Sequence, residues 1–149
     1  METNTKPTSD ECTLAMLSHL SIVLGGIILP IILWAVQKDK SQFVRFHSLQ
    51  SIFYHISYIA LIFIYVIFMV LILIVTGIGF AGLGNSHSHS HNDPSVIWII
   101  LMIALYLGMF VIIFAGIGYS VFLAIKSYKG NYTKIPIIGN IIYKKIFGT

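Results

Sequence analysis

The chain has 149 residues, of which 57% are hydrophobic and 9% charged, and its mean hydropathy is +0.90. Soluble domains carry about 25% charged residues, so this composition excludes an ordinary soluble fold and indicates an integral membrane protein. A formal charge of +4 would suggest nucleic-acid binding in a soluble protein, but here the basic residues cluster beside apolar runs, which is typical of membrane topology signals.

The N-terminal part of the chain predicts an arm followed by a first membrane span. Residues 1–13 are polar and without periodicity, so we expect a flexible arm. Residues 14–36 are apolar and would form a helix of about 34 Å, enough to cross the roughly 30 Å hydrocarbon core. Pro30 predicts a kink near the middle of that helix. The run is too long for the apolar region of a signal peptide, so we expect it to remain in the mature protein.

A second, longer apolar stretch follows a short polar hinge at residues 37–46. Because the hinge is short, we predict that the first and second helices are antiparallel neighbours. The second helix, residues 47–80, would be about 51 Å long, which exceeds the bilayer thickness but is too short for two spans. Its first turns carry a polar stripe that would lie near the headgroups or face a partner. The stripe consists of His47, Gln50, Ser51, Tyr54 and Tyr58.

The last part of the chain predicts a third span and a basic tail. An outer loop, residues 81–95, contains alternating serine and histidine and precedes a third apolar helix at residues 96–125. The tail, residues 126–149, mixes isoleucines with lysines and is expected to place a short segment in the membrane interface, since a further span would need about 20 apolar residues.

The predicted fold is an all-α integral membrane protein with three transmembrane helices and a short interfacial C-terminal segment. Residues 14–125 would form one membrane domain. Eight of the nine basic residues lie in the hinge and the tail, and the outer loop has none. The positive-inside rule therefore predicts a cytoplasmic hinge and C-terminus and, with three spans, an N-terminus outside. We expect a multi-pass protein of the plasma or inner membrane.

Three short motifs resemble the signature of a widespread family of small uncharacterised bacterial and archaeal membrane proteins. They are Leu-Ala-Met-Leu-Ser-His-Leu at residues 14–20, Phe-Val-Arg-Phe-His at 43–47 followed by Gln50 and Ser51, and Lys-Gly-Asn-Tyr at 129–132 leading into Ile-Pro-Ile-Ile-Gly. That family is similar to the twenty-kilodalton component of the chloroplast inner-envelope protein translocon. The resemblance implies a multi-helix fold that works in complexes. The chain departs from the family pattern in its His-rich loop and at Tyr54 and His55.

Candidate sites for contact with lipid or with other proteins lie at the hinge and on the helix faces. Arg45 can bind lipid phosphate, and Gln50 can bond to a neighbouring helix. Alternatively, Arg45, His47 and Gln50 only anchor the membrane topology and start the second helix. Small residues would allow close helix packing. The small-residue candidates are Gly77, Ala104 and Gly108.

Four polar side chains are candidates for a role inside the membrane: His19, Tyr54, His55 and Tyr58. They could form a proton relay or simply satisfy hydrogen bonds between helices. A zinc site of His19, His47 and His55 is not expected. With three spans, His19 would lie about 26 Å above the cytoplasmic end and His55 about 12 Å above it, a difference of about 14 Å.

His87, His89 and His91 alternate with serine in the outer loop and could bind a divalent metal weakly, although a solvated low-complexity loop is the alternative. No catalytic set or cofactor fingerprint can be assembled, so we expect no cofactor and no enzyme. The predicted function is an accessory or scaffold subunit that docks other membrane proteins or itself and has no nucleic-acid partner. The alternative function is a small metal-ion or proton channel that uses the outer loop and His55.

Overall fold

The computed structural model describes residues 6–24, 26–83 and 94–148, apart from the side chains of residues 78–83, 94 and 95. All regular secondary structure in this part of the chain is α-helical, which confirms the all-α class. Its five helices are α1 (Ser9–Leu24), α2 (Ile28–Gln37), α3 (Gln42–Leu83), α4 (Pro94–Tyr128) and α5 (Ile138–Phe147).

The chain divides into two compact units. Unit 1 comprises Met1–Tyr58 and Ala115–Thr149, and unit 2 comprises Ile59–Phe114. Unit 1 therefore contains α1, α2, α5, the beginning of α3 and the end of α4, together with most of the polar residues singled out in the sequence. Unit 2 contains the apolar remainder of α3 and α4.

Within the described residues, two helices are long and apolar enough to cross a membrane, by length and composition: Gln42–Gly77 within α3 and Val96–Tyr128 within α4. Their apolar side chains are largely exposed, for example Phe63 at 64% and Val111 at 68%. Exposed apolar surface on this scale needs lipid or another protein to cover it. Two of the three predicted spans thus correspond to helices of sufficient length.

The first predicted span is not confirmed, because residues 14–36 do not form one helix. The 16 residues of α1 and the 10 residues of α2 are about 24 Å and 15 Å long, and each is shorter than the roughly 30 Å needed for a crossing. The break lies at Gly26, whose φ of +70° is favourable only for glycine. Pro30 lies in the first turn of α2, where its missing N–H is not needed. The kink predicted near the middle of the span therefore takes the form of this break four residues before Pro30.

The direction of α1 also differs from the prediction. The Oγ atoms of Ser18 and Ser48 are 3.0 Å apart, and Ser21 Oγ lies 3.3 Å from His55 Nε2. Residue numbers rise together along the two helices, so α1 runs parallel to the beginning of α3. α2 packs against α1 and returns the chain to the start of α3. The segment predicted to cross the membrane once is therefore a helical hairpin.

The N-terminal end of α1 is fixed by a capping box. The Thr8 N–H donates to Glu11 Oε2 at 2.7 Å, and the Glu11 N–H donates to Thr8 Oγ1 at 3.3 Å, so two free donors are satisfied reciprocally. For this reason α1 begins at Ser9, inside the stretch predicted as a flexible arm. Glu11 bonds to the Ser41 side chain in the hinge, and Pro7 lies against Gly130 just after α4. Residues 7–11 thus lie at the same end of unit 1 as the hinge, whereas the prediction placed them on the opposite side of the membrane.

The tail folds back onto unit 1 and ends in α5. Ile142 in α5 is buried, while Ile137 and Ile141 are 76% and 62% exposed. Ile137 has a φ of +68°, which a β-branched residue rarely adopts. The Lys134 ammonium lies 3.5 Å from the centroid of the Tyr143 ring. The predicted short segment is therefore a helix with exposed isoleucines next to basic residues.

Candidate functional site

Unit 1 buries a cluster of serine and histidine side chains between α1, α3 and α4, here called the polar core. Its members are 0–3% exposed. They are Ser18, His19 and Ser21 on α1, His47, Ser48, Ser51 and His55 on α3, and Ser120 on α4. Buried polar groups are costly unless they are paired, so the hydrogen bonds of this cluster determine whether the helices can pack.

The serines of the polar core bond to one another and to backbone carbonyls. Ser18 Oγ donates to the Leu14 carbonyl at 3.0 Å, which leaves it free to accept from Ser48. The Ser18 carbonyl accepts from Ser21 Oγ at 2.7 Å and from Ser51 Oγ. One residue of α1 thus has two partners on α3, and these bonds hold the hairpin against that helix.

The histidines extend this network. His19 Nε2 lies 3.2 Å from His47 Nδ1, so one ring donates to the other. His55 Nδ1 donates to the Ser51 carbonyl at 2.7 Å, and Ser120 Oγ donates to the His19 carbonyl at 2.6 Å. The depth difference predicted for the histidines was wrong because it assumed that α1 enters from the other side. Even so, no group of three His, Cys, Asp or Glu side chains is placed to hold a metal ion within the described residues.

His47 is also the centre of an aromatic cluster. The centroid of its ring lies 4.6 Å from that of Phe43, 5.1 Å from that of Phe46 and 6.2 Å from that of Tyr132. Burial raises the pKa of Tyr132, and the nearby Glu11 carboxylate raises it further. Two of the sequence motifs, at residues 43–47 and 129–132, therefore meet at this ring.

Gln50 connects α3 to the tail. Its Nε2 donates to the Thr133 carbonyl at 2.9 Å, and its Oε1 accepts from the Ile135 N–H at 3.3 Å. A Cβ at Gly139 would lie 2.8 Å from Gln50 Oε1 and 2.7 Å from the Lys134 Cα. The partner of Gln50 is thus the tail backbone instead of the neighbouring helix suggested by the sequence.

Tyr54 and Tyr58 pack against α4 within unit 1. Tyr54 Oη donates to the Gly116 carbonyl at 2.7 Å, and the two tyrosine rings are stacked with centroids 6.1 Å apart. A Cβ at Gly116 would overlap the Tyr58 ring. Both tyrosines therefore act in the contact between α3 and α4.

Arg45 lies beside a cavity of about 470 Å³ at the hinge, here called the basic pocket. Its wall is formed by Pro7, Glu11, Lys38, Asp39, Lys40, Ser41, Gln42, Phe43, Arg45 and Tyr132. Arg45 Nε is buried without a hydrogen-bond partner. Ser41 caps α3 by accepting from the Val44 N–H at 3.2 Å. Its side chain also bonds to Glu11, which lowers the pKa of that carboxyl.

The small-residue candidates have different surroundings. A Cβ at Gly108 would lie 2.5 Å from Tyr65 Oη, so Gly108 allows the two helices to approach within unit 2. No atom lies within 4 Å of a Cβ built at Gly77, and Ala104 is exposed. His87, His89 and His91 lie outside the described residues.

Sequence reasoning missed most of the serines in the polar core. Ser18 and Ser21 are three residues apart on α1, as are Ser48 and Ser51 on α3. Paired serines at this spacing form a small polar face on each helix, and two such faces in one apolar chain would have predicted that the helices meet. The contribution of Ser120 has no comparable local signal.

The comparisons with known proteins identify the family. No curated protein and no solved structure matches the chain. Residues 10–142 match the magnetosome magnetite crystal formation protein family, whose members are magnetosome membrane accessory proteins and not known enzymes. The resemblance to the family of the chloroplast translocon component was therefore wrong, whereas the prediction of a non-enzymatic protein is confirmed. Because the match covers most of its length, the chain belongs to the MamF/MmsF magnetosome magnetite crystal formation protein family.

Proposed function

We propose that this protein is an accessory subunit of the magnetosome membrane that takes part in magnetite crystal formation by docking other membrane proteins or further copies of itself. The observation that supports this most is the family match over residues 10–142. The exposed apolar faces of α3 and α4 offer surface for such docking in the bilayer.

The contacts in unit 1 favour a structural use of its polar side chains. Ser18, His19, Ser51 and Gln50 bond to side chains or carbonyls of neighbouring elements. His55 contacts Ser21 and Ser51, and this fits a hydrogen-bonded helix contact better than a step on an ion path. The channel alternative therefore has less support than the accessory role. Weak divalent metal binding at His87, His89 and His91 remains a proposal from the sequence alone.

We also propose a topology with two spans, α3 and α4, and a hairpin of α1 and α2 that enters the membrane and returns to the same side. Val23 and Ile28 at the hairpin tip are 61% and 65% exposed, which suits a lipid environment. Lys6 is the one basic residue outside the hinge and the tail. It lines a cavity of unit 1 together with Lys129 of the tail, so it lies on the same side as the other eight basic residues. All nine would then be cytoplasmic, in agreement with the positive-inside rule. The exposed Ile137, just before α5, and Ile141, within it, would lie in the interface.

The docking role can be tested in a magnetosome-forming bacterium that lacks its own member of the family. Expression of the tagged chain should restore crystal size, measured by electron microscopy, and gentle detergent extraction should return stable partners or oligomers. Ala104→Phe enlarges a small exposed residue and should reduce both. Ile103→Phe is the matched control, because Ile103 is 54% exposed and already bulky. Unrestored crystals together with a chain that purifies alone would contradict the proposal.

A further inference from the structure

We propose that the basic pocket binds the phosphate group of an anionic phospholipid at the cytoplasmic membrane surface. The shape of the pocket is the first argument. Its volume of about 470 Å³ is within the range of roughly 300–1,000 Å³ that is usual for small-molecule sites. Phosphate headgroups with a glycerol substituent are small enough to enter it.

The charges around the pocket favour an anion. Lys38, Lys40 and Arg45 line it, together with the two acids Glu11 and Asp39. The Glu11 carboxylate already accepts hydrogen bonds from the Thr8 N–H and from Ser41. Among the described residues, none of the three cations forms an ion pair or a side-chain hydrogen bond. The pocket therefore offers more positive charge than the protein itself neutralises.

Arg45 is the side chain best suited to hold the phosphate. Its Nε is buried without a partner, and a desolvated donor of this kind gains from a charged acceptor. A guanidinium group binds phosphate oxygens through two parallel hydrogen bonds, which an ammonium group cannot do. Lys38 and Lys40 are exposed in the preceding loop and can add long-range attraction.

The position of the pocket points to a lipid as the source of the phosphate. Its wall includes Ser41 and Gln42, and the apolar stretch that can cross the membrane begins at Gln42. The pocket thus adjoins the end of a membrane span, where headgroup phosphates are concentrated. Soluble phosphate shares the same chemistry, and the experiment has to separate the two sources.

The test is a titration of the full-length protein in mild detergent, with its melting temperature as the readout, because a ligand that binds the folded state raises it. Three probes are used: dihexanoyl phosphatidylglycerol, dihexanoyl phosphatidylcholine and inorganic phosphate. We expect phosphatidylglycerol to stabilise the protein at lower concentration than either of the others. Arg45→Gln should weaken its apparent affinity by about tenfold.

Lys129→Gln is the matched control, because it removes one positive charge from an exposed position outside the basic pocket. If Arg45→Gln does not fold, the double variant Lys38→Gln and Lys40→Gln provides the same comparison. Equal stabilisation by the two lipids, or an equal loss of affinity in Lys129→Gln, would overturn the proposal. Stabilisation by inorganic phosphate as strong as that by phosphatidylglycerol would overturn the assignment to a lipid.

Discussion

The imidazole of His19 on α1 lies against that of His47 on α3, with Nε2 and Nδ1 3.2 Å apart. Both rings are fully buried. This contact fixes α1 beside the first turns of α3, and the contact between the Ser18 and Ser48 hydroxyls, each on the residue next to one of these histidines, places the same parts of the two helices together. An N-terminal helix that crossed the membrane in the opposite direction could not bring these two residues to the same level.

A double-mutant cycle tests this contact. His19→Leu and His47→Leu should each lower the free energy of unfolding, and the double variant should lose less than the sum. We expect a coupling energy of about 1 kcal/mol, as for other interhelical hydrogen bonds in membrane proteins. His19→Leu combined with Gln42→Ala should be additive, since Gln42 is exposed. Additivity in the histidine pair would mean that the rings do not interact.

The proposed topology predicts that the N-terminal segment and the hinge are labelled from the same side of the membrane. In a Cys12→Ser background, single cysteines at Lys6, Lys40 or Lys145 should react with an impermeant maleimide in inverted vesicles and stay unlabelled in right-side-out vesicles. The three-span arrangement would place Lys6→Cys on the opposite side from Lys40→Cys. Labelling of those two positions from opposite sides would reject the hairpin.

The apolar runs predicted the two long helices well and the N-terminal hairpin poorly. The predicted helices at residues 47–80 and 96–125 lie within α3 and α4. α3 starts earlier than expected because Ser41 caps it. Hydropathy cannot distinguish one span from two short helices of the same total length. The difference depends on the backbone at Gly26 and on contacts with distant serines.

The sequence identified the residues of the candidate site but not their positions relative to one another. Arg45, His47 and Gln50 lie within two turns of α3, yet they occupy the basic pocket, the polar core and the tail contact respectively. Side chains pointing in different directions from one helix have different neighbours. Those neighbours come from α1, the hinge and the tail, and their approach is a property of the tertiary fold.

Gln50 should be necessary for docking of the tail. Gln50→Ala removes both hydrogen bonds to the tail and leaves the Thr133 carbonyl and the Ile135 N–H without these partners. We expect a loss of about 1–3 kcal/mol and faster hydrogen exchange at residues 131–139. Gln42→Ala, a change of the same type at an exposed position of α3, should leave exchange in the tail unchanged. Equal protection of the tail in both variants would exclude this role of Gln50.

Gly139 should not tolerate a side chain. A Cβ there would lie 2.7 Å from the backbone at Lys134 Cα, so Gly139→Ala should displace the tail and lower the melting temperature. Gly118→Ala is the control, because no atom lies within 4 Å of a Cβ at that position. In a helix, that replacement should be neutral or stabilising by up to about 1 kcal/mol. A similar melting temperature for the two variants would show that the space around Gly139 can adapt.

The carboxylate of Glu11 should make the stability of the protein depend on pH. Hydrogen bonds from the side chain of Ser41 and from Thr8 lower the pKa of Glu11 below its usual value of 4.5. The stabilisation is therefore complete above about pH 4.5 and is lost as the pH falls through the lower pKa of the folded state.

Glu11→Gln should lower the melting temperature at pH 7, and the difference from the unmodified protein should shrink as the pH falls below about 4. Asp10→Asn is the control, because Asp10 is exposed in the same helical turn. A difference between Glu11→Gln and the unmodified protein that stays constant with pH would show that the carboxylate is not held by these bonds.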